Sequence, residues 1–181
     1  MPIEIEKKFR LTKKQHEEVL QRLPQIGARL CGEEFEENTL YEGDSLDPAR
    51  SILRLRRTDK AATVTYKEGL GTSSSIEHRR EEETRVEDPD AMNAILDALG
   101  FKPALVYEKR RQTWHLETTE IVVDELPFGL FMEIEGSEGN IVTAELKLGI
   151  KGLRTEPETY PQLTREHGKR YVNMIEARFD E

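Results

Sequence analysis

The sequence predicts an α+β fold: a closed antiparallel β-barrel of about eight strands that forms a tunnel, with helices packed outside it. Three observations favour this fold class. Short runs with a period of two recur along the chain. Helical segments are interspersed among them, with few strand–helix–strand repeats of the kind that build parallel sheets. In most of the strand-like runs charged residues alternate with apolar ones, so each strand has one ionic and one apolar face.

Length and composition agree with one ordinary domain, which we expect to span residues 1–181, because 36% of the residues are hydrophobic. The net charge of -9 argues against a general nucleic-acid binder. There is no apolar stretch of about twenty residues, so we expect no contact with a membrane. Cys31 is the single cysteine and cannot form an internal disulfide, which is consistent with a reducing cytoplasm, where we expect the protein to act.

Four segments carry the capping patterns of helices. Thr12 precedes an amphipathic run that we expect Pro24 to stop. Asp88 and Pro89 open a second run, and Gly100 follows its end, an order that is typical of helix starts and stops. Two further runs begin after a serine and a threonine. The predicted helices are 12–24, 88–100, 137–149 and 159–168.

Between the helices, eight runs read as strands because apolar and charged residues alternate in them. In the first run, Ile3 and Ile5 share one face, whereas Glu4, Glu6 and Lys8 share the other. The third run repeats the arrangement with leucines opposite arginines. The predicted strands are 3–9, 33–41, 52–58, 62–67, 79–86, 106–116, 120–125 and 130–135.

The charged strand faces contain like-charged residues two positions apart, which repel each other in water. An open antiparallel sheet with one solvated face also produces alternation, and the pattern alone leaves this alternative open. A closed barrel is favoured because its interior sets acidic pairs beside basic pairs, which offset the cost of burying each other. The pairs are Glu4/Glu6, Arg54/Arg56, Glu81/Glu83 and Glu133/Glu135.

Such an interior would have two chemical halves. Clustered carboxylates suit hard divalent cations, and clusters of arginine and lysine suit phosphate oxygens. A cavity lined by both therefore fits Mg²⁺ or Mn²⁺ together with a short chain of phosphates.

The charged motifs resemble those of the CYTH superfamily, also called triphosphate tunnel metalloenzymes. The opening Glu4-x-Glu6-x-Lys8 is similar to the ExExK signature of that family. Further pieces follow in the family's order: ENTLYEGD at 37–44, LRLR at 53–56, Lys67, Arg79-x-Glu81-x-Glu83, Lys109-x-Arg111 and DELPFGLFMEIE at 124–135. The resemblance implies a closed barrel of about eight antiparallel strands whose tunnel binds a triphosphate group and a divalent metal.

The resemblance also implies roles for individual residues. The metal ligands would be Glu4, Glu6, Asp124, Glu133 and Glu135. The phosphate-binding residues would be Lys8, Arg54, Arg56, Lys67, Lys109 and Arg111, with Lys151 as the candidate for a further basic residue that the family places near the C-terminus. Lys147 is the alternative to Lys151, and Glu158 stands where some members have a lysine. The catalytic set would be Glu81 and Glu83, one of which would orient the attacking water, with Lys109 and Arg111 offsetting the charge of the phosphates.

Members of this superfamily include inorganic triphosphatases, thiamine triphosphatases, class IV adenylyl cyclases and RNA triphosphatases. The sequence therefore favours a metal-dependent hydrolase that acts on tripolyphosphate, thiamine triphosphate or a nucleoside triphosphate. A class IV adenylyl cyclase and a non-catalytic polyphosphate-binding module are the alternatives. The expected partner is a small-molecule triphosphate, not nucleic acid. The oligomeric state is left open, and a homodimer is among the states allowed.

Overall fold

The computed structural model describes residues 3–70 and 76–180. The helices are α1 (Lys13–Gln25), α2 (Pro89–Ala98), α3 (Glu138–Leu148) and α4 (Tyr160–His167). The long strands are β1 (Ile3–Leu11), β2 (Arg29–Glu42), β3 (Ser51–Arg57), β4 (Ala62–Gly69), β5 (Glu77–Val86), β6 (Lys102–Leu116), β7 (Thr119–Leu126) and β8 (Gly129–Glu135). Three short strands follow: β9 (Arg154–Thr155), β10 (Lys169–Arg170) and β11 (Ile175–Ala177).

The eight long strands close on themselves. Strand β1 pairs with β5 on one side and β8 on the other, and the ring continues through β7, β6, β2, β3 and β4 back to β5. Each of these pairings is antiparallel. The predicted fold class is confirmed, and the open-sheet alternative is wrong because the sheet has no free edge in this ring.

The helices pack on the outer, apolar faces of the strands. Helices α1 and α3 cover β1, β7 and β8, where Phe9, Ile121 and Ile134 meet Val19 and Ile141 in one buried cluster. Helix α2 covers a smaller cluster on β2, β3 and β4. Because the apolar side of each strand faces these helices, its ionic side must face the interior of the ring.

Side-chain caps fix where the helices begin. The Thr12 hydroxyl accepts a hydrogen bond from the Gln15 amide at 3.2 Å, and the Gln15 side chain accepts one from the Thr12 amide at 3.0 Å. Asp88 and Ser137 cap α2 and α3 in the predicted positions. Pro24 lies inside the last turn of α1, which ends one residue later at Gln25.

The C-terminal segment lies across one end of the ring. Strand β9 pairs with β1, and β11 adds to β6 in parallel. Between them, Tyr160 and Leu163 of α4 pack against Leu105, Leu126 and Phe131, which belong to the strand ends at that side. Among the described residues, none of the helices combines the length and apolar character needed to cross a bilayer.

Candidate active site

The ring of strands encloses a cavity of about 510 Å³ whose walls are mostly ionic. The alternation of the strands brings together most of the residues that the sequence predicts for the site. The structure places the following predicted residues on its wall: Glu4, Glu6, Lys8, Arg54, Arg56, Lys67, Glu81, Glu83, Lys109, Arg111, Glu133 and Glu135. Lys7, between two of them in sequence, points outward and pairs with Glu145 of α3 at 2.7 Å.

On one side of the cavity, β6 presents Lys109 and Arg111. The Arg111 guanidinium donates to both Asp124 oxygens, at 2.8 and 2.6 Å, and to Glu133 Oε2 at 2.8 Å. Lys109 Nζ lies 3.5 Å from Asp124 Oδ2. Burial and the neighbouring Arg111 charge lower the pKa of Lys109 to about 8, although nearby carboxylates oppose the shift. This part of the wall is thus a cationic surface held from behind by carboxylates.

Beyond β2, which lies between β6 and β3 in the ring, the guanidinium groups of Arg54 and Arg56 extend from β3. Arg54 Nη2 donates to Thr65 Oγ1 at 3.2 Å and lies 3.6 Å from Glu83 Oε2. Within the described part of the chain, the buried Nε atoms of Arg54 and Arg56 have no hydrogen-bond partner, although Arg56 Nε lies 3.4 Å from Glu36 Oε2. Buried donors of this kind suit the oxygens of an anionic ligand.

Opposite these cations, β1 and β8 form a carboxylate wall. Glu6 and Glu135 are direct partners in the antiparallel pairing of these strands, and Glu135 is also the partner of Glu120 on β7. Burial and the charge of Glu133 raise the pKa of Glu6 to about 7. Burial and the charges of Glu4 and Glu120 raise the pKa of Glu135 to about 7. At Glu6 and Glu135 the nearby lysines therefore do not fully offset burial and the repulsion of neighbouring carboxylates.

The oxygen-rich chemistry of this wall fits a hard divalent cation. A cation would also offset the burial and the repulsion that together raise the two pKa values. Across residues 3–70 and 76–180, however, no three His, Cys, Asp or Glu side chains converge closely enough to form a ready-made metal site. The residues thus fit Mg²⁺ or Mn²⁺ in donor type, and the coordinating arrangement is not preformed.

Lys67 connects the carboxylate wall with the predicted catalytic acids on β5. Its Nζ lies 2.6 Å from Glu4 Oε2 and 2.7 Å from Glu81 Oε2. Burial alone would raise the pKa of Glu81, but the Lys67 charge lowers it. Glu83 accepts a hydrogen bond from Thr65 Oγ1 at 2.7 Å. The Lys67 charge therefore favours the ionised form of Glu81 in the cavity.

Lys151 does not line this cavity, and its role as a phosphate ligand stays a prediction. It lies in an exposed turn after α3, where its backbone carbonyl accepts from Gln15 Nε2 at 3.2 Å. Lys147 pairs with Glu117 at 2.6 Å, also outside the cavity. The C-terminal segment reaches the site differently: the Glu158 carbonyl accepts from Lys8 Nζ at 3.2 Å.

Two residues of the site, Tyr160 and Glu36, were missed by sequence reasoning. The Tyr160 hydroxyl donates to Asp124 Oδ2 at 2.8 Å, and Lys8 Nζ lies 4.6 Å from the centre of its ring. No strand pattern precedes Tyr160, so nothing in the sequence marks it. Glu36 is fully buried beside the cations of β3 and β6. The period-two series Glu34, Glu36, Asn38 in β2 was a usable signal for it.

A wider cavity of about 920 Å³ adjoins the first and shares Ile52, Lys67 and Arg79 with it. Its lining includes apolar side chains such as Leu46 and Leu70 as well as charged ones. The ionic tunnel therefore opens into a roomier space of mixed polarity.

Comparison with known proteins gives matches over most of the chain. The CYTH domain family matches residues 2–160. A protein of Methanocaldococcus jannaschii that carries the provisional name adenylate cyclase MJ0240 is 31% identical over 142 residues, which are 77% of this chain and 79% of that protein.

Solved structures share the fold. The PH1012 protein of Pyrococcus horikoshii OT3 superposes with a TM-score of 0.77 at 29% identity, covering 88% of this chain and 98% of that one. A Hippeastrum protein named as an adenylyl cyclase, and described as having a dominant triphosphatase activity, superposes with a TM-score of 0.70 at 21% identity, covering 90% and 95%. The latter likeness is one of fold.

Proposed function

The chain belongs to the CYTH domain family, and from that premise we propose that it is a divalent-metal-dependent phosphohydrolase acting on a triphosphate. The observation that carries the proposal is the division of one cavity into a cationic surface on β3 and β6 and a carboxylate wall on β1 and β8. A triphosphate with a bound divalent cation is complementary to both.

The cations would bind and orient the phosphate oxygens. Arg54 offers a buried Nε donor, and Arg56, Lys109 and Arg111 add positive charge beside it. In phosphoryl transfer most of the catalysis comes from positioning and from offsetting charge, so a rigid set of cations is suited to the task. Lys8 and Lys67 would contact those phosphates of the bound polyphosphate that lie nearest the carboxylates.

We assign the metal to the carboxylate wall, with Glu4, Glu6 and Glu135 as the principal holders and Glu133 beside them. A bound divalent ion would offset the negative charge of the phosphate oxygens. Asp124, which the resemblance adds to this set, has both oxygens engaged by Arg111 and is fully buried, so we propose that it orients Arg111 instead.

The reaction would be attack of water on a terminal phosphorus. The new P–O bond forms to the water oxygen, the phosphoanhydride bond breaks, and tripolyphosphate would yield phosphate and pyrophosphate. Glu81 or Glu83 would orient the water and take its proton. Lys67 contacts Glu81 directly and favours its ionised form.

An adenylyl cyclase is the second candidate, and the adjoining cavity of about 920 Å³ is the observation that favours it. A nucleoside attached to the triphosphate would have room there. In this reaction the ribose 3′-oxygen would attack the α-phosphorus and pyrophosphate would leave, with the same cations and carboxylates in use.

A substrate panel tests the proposal. Tripolyphosphate, thiamine triphosphate and ATP would be incubated with Mg²⁺ or Mn²⁺, and phosphate and cyclic AMP measured. Release of phosphate without cyclic AMP is the expected result. Cyclic AMP without free phosphate would establish the cyclase instead. Tight binding of tripolyphosphate with no turnover of any substrate would leave only a polyphosphate-binding module.

A further inference from the structure

Glu36 occupies a position that the proposed reaction does not use. It is fully buried and is absent from the cavity wall. Its Oε2 lies 3.2 Å from Lys109 Nζ and 3.4 Å from Arg56 Nε, and its Oε1 lies 3.9 Å from Arg111 Nε. Three cations that face the cavity are therefore backed by this one carboxylate.

The position of Glu36 mirrors that of Asp124. Strand β6 has β2 on one side and β7 on the other. Glu36 is the direct partner of Lys109 across the first pairing, and Asp124 is the direct partner of Arg111 across the second. Glu36 also contacts Arg111, and Asp124 also contacts Lys109. Each of the two cations therefore has one carboxylate on the β2 side and one on the β7 side.

The hydrogen bonds of Glu36 are incomplete, which points to an electrostatic role. The Asn38 side chain donates to Oε2 at 3.2 Å. Among the residues the structure describes, Oε1 has no hydrogen-bond donor. Burying such a carboxylate is costly unless nearby positive charge offsets the cost. The cations supply that charge, and the carboxylate in turn limits the repulsion among them.

We propose that Glu36 is a positioning residue: a fixed counter-anion that holds Arg56, Lys109 and Arg111 in place and weakens their binding to the substrate's phosphates. The identity of the ligand, a triphosphate, rests on the proposed function. A bound polyanion shares the three cations with Glu36. Removing the carboxylate charge while keeping its shape should therefore tighten binding and misplace the cations during turnover.

The test uses Glu36→Gln with Glu37→Gln as the matched control. Glu37 is the next residue on β2, but its side chain contacts Arg178 at 2.6 Å on the outer surface. Tripolyphosphate binding is measured by calorimetry in EDTA, so no turnover is needed. Melting temperatures are measured with and without tripolyphosphate, and kcat and KM with Mg²⁺.

For Glu36→Gln we expect Kd to fall at least threefold and kcat to fall at least tenfold without a rise in KM. The melting temperature without ligand should fall by at least about 5 °C, and tripolyphosphate should raise it by more than in the wild type. Glu37→Gln should match the wild type in all three. An unchanged or weaker Kd, or a melting temperature equal to that of the control, overturns the proposal.

The hydrolase function and the role of Glu36 can be distinguished by experiment. If the wild type hydrolyses no triphosphate but Glu36→Gln still tightens binding, the hydrolase function fails and the role of Glu36 stands. If the wild type does not bind tripolyphosphate at all, the proposed function fails, and the melting temperatures alone decide whether Glu36 holds the cations.

Discussion

Glu6→Gln should make the metal-free protein more stable at pH 8 while removing its metal-dependent activity. The pKa of Glu6 is raised to about 7 because burial and the Glu133 charge disfavour its ionised form. Between the ordinary pKa of 4.5 and about 7, the folded protein keeps a proton that the unfolded chain has lost. The free energy of unfolding therefore falls as pH rises through this window. Above about pH 7 the whole destabilising contribution of Glu6 is present.

The magnitude follows from the two pKa values. At about 1.4 kcal/mol per pH unit, the difference gives an upper limit of about 3 kcal/mol for Glu6 at pH 8. Glutamine resembles the protonated carboxyl group and does not titrate, so the variant should avoid this loss. At pH 5 most of the loss has not yet occurred, and the variant and the wild type should differ by less than about 1 kcal/mol.

Urea unfolding in EDTA at pH 5 and pH 8 measures the effect, and Glu37→Gln on the outer surface is the control. Addition of Mg²⁺ at pH 8 should stabilise the wild type but not Glu6→Gln, because the ion would relieve the same repulsion. Equal destabilisation of Glu6→Gln at both pH values would refute the reasoning, since it would mean that the ionised carboxylate is already compensated within the protein.

Further predictions concern the cations and the C-terminal segment. Arg54→Ala removes a buried guanidinium with a free Nε, so KM for tripolyphosphate should rise at least about tenfold while Mg²⁺ affinity, measured by calorimetry, is retained. An unchanged KM would exclude Arg54 from the phosphate site. Because the pKa of Lys109 is lowered to about 8, its charge is present below that pH and lost above it, and kcat/KM should fall above pH 8; a flat profile to pH 9.5 would contradict this. Tyr160→Phe deletes a buried hydrogen bond to Asp124 and should cost about 1–2 kcal/mol in urea unfolding, whereas equal stability would show that the bond contributes nothing. Lys151→Ala should leave kcat and KM as in the wild type, and a raised KM would restore Lys151 to the site.

The sequence predicts those parts of the site that lie on regular strands. Strict alternation determines which side of a strand a residue faces, so Glu4, Arg54 and Glu133 could be assigned to one cavity before any coordinates. Closure of the ring could be inferred because paired like charges need compensation. The same rule applied to β2 would have found Glu36. The alternation of this strand is hard to read because acidic residues also occupy adjacent positions, at Glu33, Glu34, Glu36 and Glu37.

The parts that could not be predicted depend on how segments outside the barrel fold back onto it. Tyr160 reaches Asp124 only because α4 lies across one end of the ring, and period-two patterns carry no information about that placement. The same limitation applies to Lys151, which does not line the cavity. A sequence position close to that of the family's basic residue does not determine where the Lys151 side chain points. The turn after α3 faces α1 instead of the cavity.

The electrostatics of the cavity argue for a ligand that carries charges of both signs. Lys8 and Arg111 outweigh the burial of Glu133 and lower its pKa to about 2, whereas the pKa of Glu6 is raised to about 7. These two carboxylates lie on paired strands around one cavity, so their difference reflects neighbours and not location. A bare polyanion would occupy the cations and leave the Glu6 side uncompensated. A cation alone would do the reverse. A metal-bound polyphosphate satisfies both sides at once, which is why this division of charge favours a polyphosphate with a bound cation over a polyphosphate alone.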